Sequence, residues 1–189
     1  MQIKAILLTP LLAAGIVSAA PSKPVQFEAM ALRSASPIHF SALQASKSFL
    51  SLNLAKQGAS CDKKSDNHAV FNLVGDELYL YKTDNPPQQL YVDRSGMGQG
   101  VLGYTTGAQG IPSKAERKGW KIDKSGNLNF NGAGFIACPN SKKAGSSWSV
   151  WVDAGNANPG GNKGCLGFTA RTIKTTTPNS CEYTQQQLY

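Results

Sequence analysis

From Phe71 to Tyr81 the chain reads Phe-Asn-Leu-Val-Gly-Asp-Glu-Leu-Tyr-Leu-Tyr. Apolar positions alternate with polar ones into Gly75-Asp76 and alternate again out through Leu78 and Leu80. Period-two alternation on both sides of a tight turn predicts a β-hairpin. The pattern returns at Trp120 to Phe130, where Trp120 and Ile122 alternate, Ser125-Gly126-Asn127 turns, and Leu128 and Phe130 alternate. The spacing predicts further strands at Gln89 to Val92, Val101 to Thr105, Gly134 to Ala137, Trp148 to Val152 and Leu166 to Ile173. Asn85-Pro86-Pro87 cannot continue a ladder and marks a loop, as does the glycine-rich stretch Asn156 to Gly164.

The region before the first hairpin is less regular. Phe27 to Leu32, Ile38-His39-Phe40 and Phe49 to Leu52 read as strands, with a helical turn over residues 42–49 as the alternative. Residues 55–67 form a polar loop, and the chain after Thr175 is extended. The count is about twelve short strands in roughly three sets of four, with a repeat of roughly 45 to 50 residues. One set cannot bury its own apolar face. Three sets closing around a shared core predict an all-β, β-trefoil-like single domain. An irregular β-sandwich or barrel is the alternative, since the first set matches poorly.

Residues 1–19 read as a signal peptide: Lys4, then the apolar run Ala5 to Val17, then Val17-Ser18-Ala19 as a cleavage site. The run falls short of the about 20 apolar residues that a membrane span needs. No second apolar span follows, so residues 20–189 are expected as one secreted domain with an extended C-terminal tail and no membrane contact after cleavage. Charged residues are only 16% of the 189, and the surface must rely on Ser, Thr, Asn, Gln and Gly. The formal charge is +8. It is dispersed in short clusters such as Lys63-Lys64 and Lys142-Lys143, without the dense basic stripe of a nucleic-acid binder.

Export makes the four cysteines candidates for two disulfides. Cys138 and Cys165 flank the last strand pair of the third set, which favours Cys138–Cys165 and leaves Cys61–Cys181. The second bridge closes a long loop, worth about 2–4 kcal/mol. Zinc is not expected: there is no Cys-x-x-Cys pair, and His39 and His68 are not at ligand spacing. No cofactor is implied.

Candidate chemistry is sparse. Neither histidine is placed as a general base, and no Gly-x-Ser-x-Gly elbow occurs. A carboxylate pair for glycoside hydrolysis is not singled out by spacing; Asp76, Asp123 and Asp153 sit at turns, where capping is the ordinary role. Gly96 to Gly100 lacks the context of a phosphate cradle and reads as a tight loop or bulge. Asp93 and Arg94, at the strand end, are placed to pair with each other and fix that loop. Trp148, Trp151 and Tyr104 are candidates for stacking on sugars. No Asn-x-Ser/Thr sequon is present.

The segments Ala59-Ser60-Cys61-Asp62 and Leu78-Tyr79-Leu80-Tyr81 belong to a distinctive set. With them go Asp93-Arg94-Ser95-Gly96-Met97-Gly98-Gln99-Gly100, Gly103-Tyr104-Thr105-Thr106-Gly107, Ile136-Ala137-Cys138-Pro139-Asn140, Trp148-Ser149-Val150-Trp151 and Asn179-Ser180-Cys181. In these the chain resembles the PhiA family of fungal cell-wall proteins, over nearly the whole mature length. Asp93, Arg94, Ser95, Gly96, Met97 and Gly98 are the core of its signature loop. The resemblance implies a secreted, wall-associated protein of filamentous fungi, without catalytic residues, linked to phialide and conidium development. Some members are allergens. It implies wall polysaccharides or other wall proteins as partners. A weaker similarity, around Gly119-Trp120 and Gly126-Asn127-Leu128, is to the C-terminal domain of PIR-type wall proteins, but the Asp-Gly-Gln repeats through which those attach to glucan are absent. A secreted carbohydrate-binding module is the alternative function. A hydrolase inhibitor acting through the loop from Asp93 to Gly100 is a third.

Overall fold

The computed structural model describes residues 23–186. The expected signal peptide, residues 1–19, lies outside them. The described residues are all-β apart from one 3-10 turn at Pro159–Gly161. Its strands are β1 (Val25–Leu32), β2 (Gln44–Ser46), β3 (Phe49–Leu52), β4 (Ser60–Cys61), β5 (Val70–Val74), β6 (Glu77–Leu80) and β7 (Gln88–Asp93). They continue with β8 (Val101–Thr106), β9 (Trp120–Ile122), β10 (Asn127–Phe130), β11 (Phe135–Pro139), β12 (Trp148–Val152), β13 (Leu166–Lys174) and β14 (Cys181–Glu182).

The order around the main sheet is β1-β5-β6-β7-β8-β3-β12-β11-β13, and β1 also pairs with β13. The sheet therefore closes into a nine-stranded barrel. The closing ladder runs antiparallel from Phe27↔Lys174 to Leu32↔Thr169. This is the barrel alternative, and the trefoil expectation is corrected. The two look-alike hairpins are both present but play different parts. β5–β6 forms barrel wall, whereas β9–β10 branches from β13 through Asn127↔Arg171 and Leu128↔Ala170. β3, from the poorly matching first set, inserts between β8 and β12. Long-range pairing of this kind overrides a repeat seen only as local alternation.

Two local expectations are also corrected. Ile38-His39-Phe40 is a turn, not a strand: Ile38 is buried, while Phe40 sits at φ 62° with its ring 65% exposed. Residues 42–49 hold no helical turn. They contain β2 and a tight turn into β3, with Lys47 and Ser48 both at positive φ. That backbone twist suits a two-residue hairpin.

Inside the ring, alternate residues of each strand make the core, among them Leu50, Leu78, Leu90, Leu102, Val150 and Val152. The β9–β10 hairpin adds Trp120 and Phe130, which meet edge to face at 5.0 Å between ring centres. Phe135 lies 6.4 Å from Trp120 and 5.7 Å from Phe168. Trp120 is fully buried, and its Nε1 finds no partner among the described residues.

Both expected disulfides, Cys61–Cys181 and Cys138–Cys165, are present. Cys61–Cys181 joins β4 to β14 and sets the tail against the barrel. The tail is extended, as expected, but it is docked rather than loose. Tyr183 is buried, and its hydroxyl accepts the Val70 N–H at 2.9 Å. Burial pushes that hydroxyl up to about 12. The fully buried Gln88 amide grips the tail backbone in both senses. Its Oε1 accepts Tyr183 N–H at 2.8 Å and its Nε2 donates to Tyr183 O at 2.8 Å. Removing one side of such a buried pairing strands the other, at about 1–3 kcal/mol. Gln88→Ala is therefore expected to lower unfolding free energy by about 1–3 kcal/mol. Hydrogen exchange at the Tyr183 amide should rise in the same variant, and unchanged exchange there would contradict the role of Gln88.

The β9–β10 turn carries a pH-sensitive contact. Asp123 Oδ1 accepts the Asn127 and Ser125 N–H groups at 2.8 Å each. The Asn127 backbone bond above all, then the Asn127 side chain, the Ser125 N–H and the charge of Arg171, holds the Asp123 carboxyl below its ordinary value. A depressed carboxyl stabilises the fold above its unfolded pKa, and the benefit disappears as pH falls through the folded pKa. Asp123→Asn should therefore cost stability at neutral pH. The gap to wild type should close below about pH 4, as read from thermal unfolding across a pH series.

Candidate functional site

The nine-stranded ring has one irregular seam. β3 pairs with β12 through Leu52↔Trp148 and Ser51↔Ser149. Continuing that register would set Phe49 opposite Trp151. Instead the strands part: Phe49 pairs with Gly103 of β8, and Trp151 pairs with Val101 of β8. On the other side of β8, Gly103 is opposite Tyr91 of β7. Gly103 and Val101 are two apart and so share a face. Phe49, Tyr91 and Trp151 thereby meet on the outer face around a position that has no side chain.

The result is a groove of two adjoining hollows that share Phe49 and Tyr91. One, of about 360 Å³, is bounded by Phe49, Tyr91, Val101 and Trp151. The other, of about 370 Å³, continues past Tyr91 to Ser48, Thr105, Gln109, Gln185 and Gln186. Among the described residues, no charged one lines either hollow. Phe49 is 40% exposed and Trp151 partly exposed. Tyr91 is mostly covered because its ring lies across Gly103; a Cβ there would come within 2.6 Å of the Tyr91 hydroxyl. Burial, with the charge of Asp93, holds that hydroxyl above its ordinary value.

Trp151 is fixed from two sides. Its indole N–H donates to Ser149 Oγ at 3.1 Å. Gly160 abuts the far edge of the ring, where a Cβ would lie 2.9 Å from Cη2. The Gly160 loop is in turn tied to the signature loop. Gln99 Oε1 accepts the Gly160 N–H at 2.9 Å and the Asn156 side-chain amide at 2.8 Å.

The signature loop is built on Asp93. Asp93 Oδ1 accepts Ser95 N–H, its carbonyl accepts Gly100 N–H, and Ser95 Oγ accepts Gly98 N–H. Glycine is required twice. A Cβ at Gly98 would fall 2.2 Å from Asp93 Cγ, and one at Gly100 would fall 2.0 Å from Val152 O. Gly96 meets nothing, and Met97 stands at the tip, 95% exposed. Arg94 does not pair with Asp93, which corrects that expectation. Asp93 is spent on the backbone, and Arg94 forms a two-pronged pair with Glu116 at 2.9 Å on each prong. Its guanidinium also lies 5.2 Å from the centre of the Phe130 ring. A charged hollow beside this loop, of about 580 Å³, is lined by Arg94, Lys114, Glu116 and Asp153. Two of its groups neutralise each other, and Asp153 caps the Gly155 N–H.

Of the three residues expected to stack on sugars, the structure brings only Trp151 to an outer surface. Trp148 shares the inward side of β12 with Val150 and Val152. Tyr104 is 1% exposed, and its hydroxyl donates to Thr184 O. Phe49 and Tyr91 were not among the candidates. Their parity was available: Leu50 and Leu52 face in, so Phe49 faces out, and Leu90 and Val92 do the same for Tyr91.

Among the described residues no group of three or more His, Cys, Asp or Glu side chains comes together as a metal site, and no helix is long and apolar enough to cross a membrane. The geometry makes Gln99 a positioning residue. Gln99→Ala should leave the melting temperature nearly unchanged while speeding hydrogen exchange at the Gly160 amide about threefold to tenfold, as expected for one lost exposed bond. Equal exchange would remove Gln99 from the support of Trp151.

Similarity to known proteins agrees with the residue reading. The family model described as "PhiA-like secreted protein" matches residues 27–184. The chain is 46% identical over 187 residues to "Cell wall protein phiA" of Aspergillus fumigatus, covering 98% of this chain and 100% of that one. To the protein of the same name from Aspergillus niger it is 43% identical over 184 residues, covering 97% and 99%. To that of Arthroderma benhamiae it is 44% identical over 189 residues, covering 97% and 100%. No solved structure matches the chain. On a match that spans nearly every described strand, the chain belongs to the PhiA-like family of secreted cell wall proteins.

Proposed function

We propose that the protein is a non-enzymatic component of the fungal wall with a structural or developmental role in forming phialides and conidia. Its support is the similarity, over nearly the full length, to relatives named as cell wall proteins. The residue chemistry agrees with a protein that works by contact. His68 Nε2 lies 3.2 Å from Glu28, and His39 Nδ1 accepts the Arg33 N–H, so each histidine has a local structural partner. Asp93, Asp123 and Asp153 hold turn backbone, and Glu116 holds Arg94. The seam groove offers rings and amides rather than an acid and a base.

Deletion of the gene in its own host is the test. The expected outcome is malformed spore-bearing cells, fewer conidia and an altered wall, with restoration by the wild-type gene. Normal spore heads and unchanged wall composition in the deletion strain would refute the developmental role. Turnover of a wall polymer by the purified protein, abolished by His68→Ala or Glu28→Gln, would refute the non-enzymatic reading.

A further inference from the structure

We propose that the seam groove bounded by Phe49, Tyr91 and Trp151 is a binding site for an uncharged polysaccharide of β-linked, gluco-configured sugars. Such a sugar carries its hydroxyls at the ring's rim and presents C–H groups on both faces. Those faces stack on aromatic rings, while the rim needs neutral hydrogen-bonding groups. The groove supplies both in order. Three aromatic side chains gather around Gly103, and amides and hydroxyls follow directly at Gln109, Gln185 and Thr105.

The charge pattern selects among polymers. The protein carries a formal +8, yet among the described residues no charged side chain lines the groove. A site for an acidic polymer would present some of that charge. Arg117 reaches the polar end of the groove, but its guanidinium is already bonded to Gln89, Thr105 and the Gln109 carbonyl. The polar end retains neutral capacity. Gln109 Oε1 accepts from Thr106 N–H and from the Gln185 amide. Gln109 Nε2 and Gln185 Oε1 make no hydrogen bond among the described residues, which leaves one donor and one acceptor beside the rings.

Shape and rigidity point the same way. Tyr91 and Phe49 are on strands that flank β8, so their backbones lie about 10 Å apart, more than the width of one sugar ring. Trp151 is one pleat further along β8. Ser149 and the Gly160 loop hold its ring in place before any ligand arrives, which reduces the ordering cost of binding. The opposite arrangement, a mobile aromatic, would lose part of the stacking gain to side-chain entropy.

The site assignment stands apart from the developmental role, and the two fail separately. Purified, disulfide-intact secreted protein would be titrated with short β-1,3-glucan, chitin, α-mannan and α-1,4-glucan oligomers, by calorimetry and by tryptophan fluorescence, at low and high salt. The proposal expects binding of the glucan arm or the chitin arm that is insensitive to salt, and the two arms identify which polymer supplies the sugar. The α-linked controls should bind weakly or not at all. Trp120 and Trp148 are buried, so a change in emission on saturation should vanish in Trp151→Phe. Trp151→Ala and the exposed Phe49→Ser should each weaken binding about tenfold or more. Phe49→Ser leaves the buried core intact, so loss of binding there cannot be laid to unfolding. Failure to bind any β-linked oligomer, binding indifferent to both substitutions, binding confined to anionic polymers and lost at high salt, or a groove occupied instead by a protein partner would each overturn the proposal.

Discussion

The ladder between β1 and β13 is the contact on which the fold depends. It unites the first and last long strands of the described chain, six residue pairs deep, and turns an open sheet into a ring. Closure removes two edges that would otherwise present unpaired backbone groups. It also creates the interior into which Leu50, Leu90, Leu102, Val150 and their neighbours can point. None of the nine wall strands could bury its apolar face without it. Most of those contacts are distant in sequence, so a large loop-closure cost must be met before they reward the chain. The two disulfides act on that cost. Cys61–Cys181 spans 120 residues, and Cys138–Cys165 spans 27 beside the strands that carry the groove.

A closed ring must reconcile nine twisted strands, and its ladders are shortest at the seam. β8 meets β3 at a single residue pair and β12 at a single residue pair. Where ladders are that short, the outer face opens and side chains that would otherwise lie flat stand apart. Phe49 and Trp151 are therefore open on the outer face for a topological reason, while Tyr91 is mostly covered. The missing side chain at Gly103 completes the effect, because it lets Tyr91 lie down across β8 rather than project between its neighbours.

The strands themselves were legible in the sequence, because alternation is a local property. Trp148 to Val152 is a strand with the expected bounds, and both glycine-centred hairpins are real. Parity held more than was read from it: Tyr104 shares its side with Leu102, and Trp148 with Val150, so both face inward and neither is a sugar platform. What could not be read was adjacency. Nothing in Phe49-Leu50-Ser51-Leu52 announces that it will lie between β8 and β12, and the groove exists only because it does. The apparent threefold repeat misled for the same reason. Two hairpins with one local pattern were sent to different places by distant pairings, β5 with β1 and β10 with β13. Ile38 to Phe40 failed differently: the stretch turns the chain, with Ile38 inward and Phe40 outward.

The signature loop gains a physical meaning from this arrangement. Its glycines are demanded by close approaches, Gly98 to Asp93 and Gly100 to Val152, rather than by flexibility. Its most distinctive side chain in mechanical terms is Gln99, held at φ 52° so that its amide reaches the Gly160 loop. Gly160 in turn abuts Trp151. A motif that reads as chemistry thus acts at one remove. Asp93 folds the loop, the loop aims Gln99, Gln99 holds the glycine turn, and that turn fixes one wall of the groove. Substitution at Gln99 should therefore disturb the groove more than the barrel, since its bonds to Asn156 and Gly160 are exposed, whereas Asp93 is buried and Gly100 abuts the backbone of Val152 in the barrel wall.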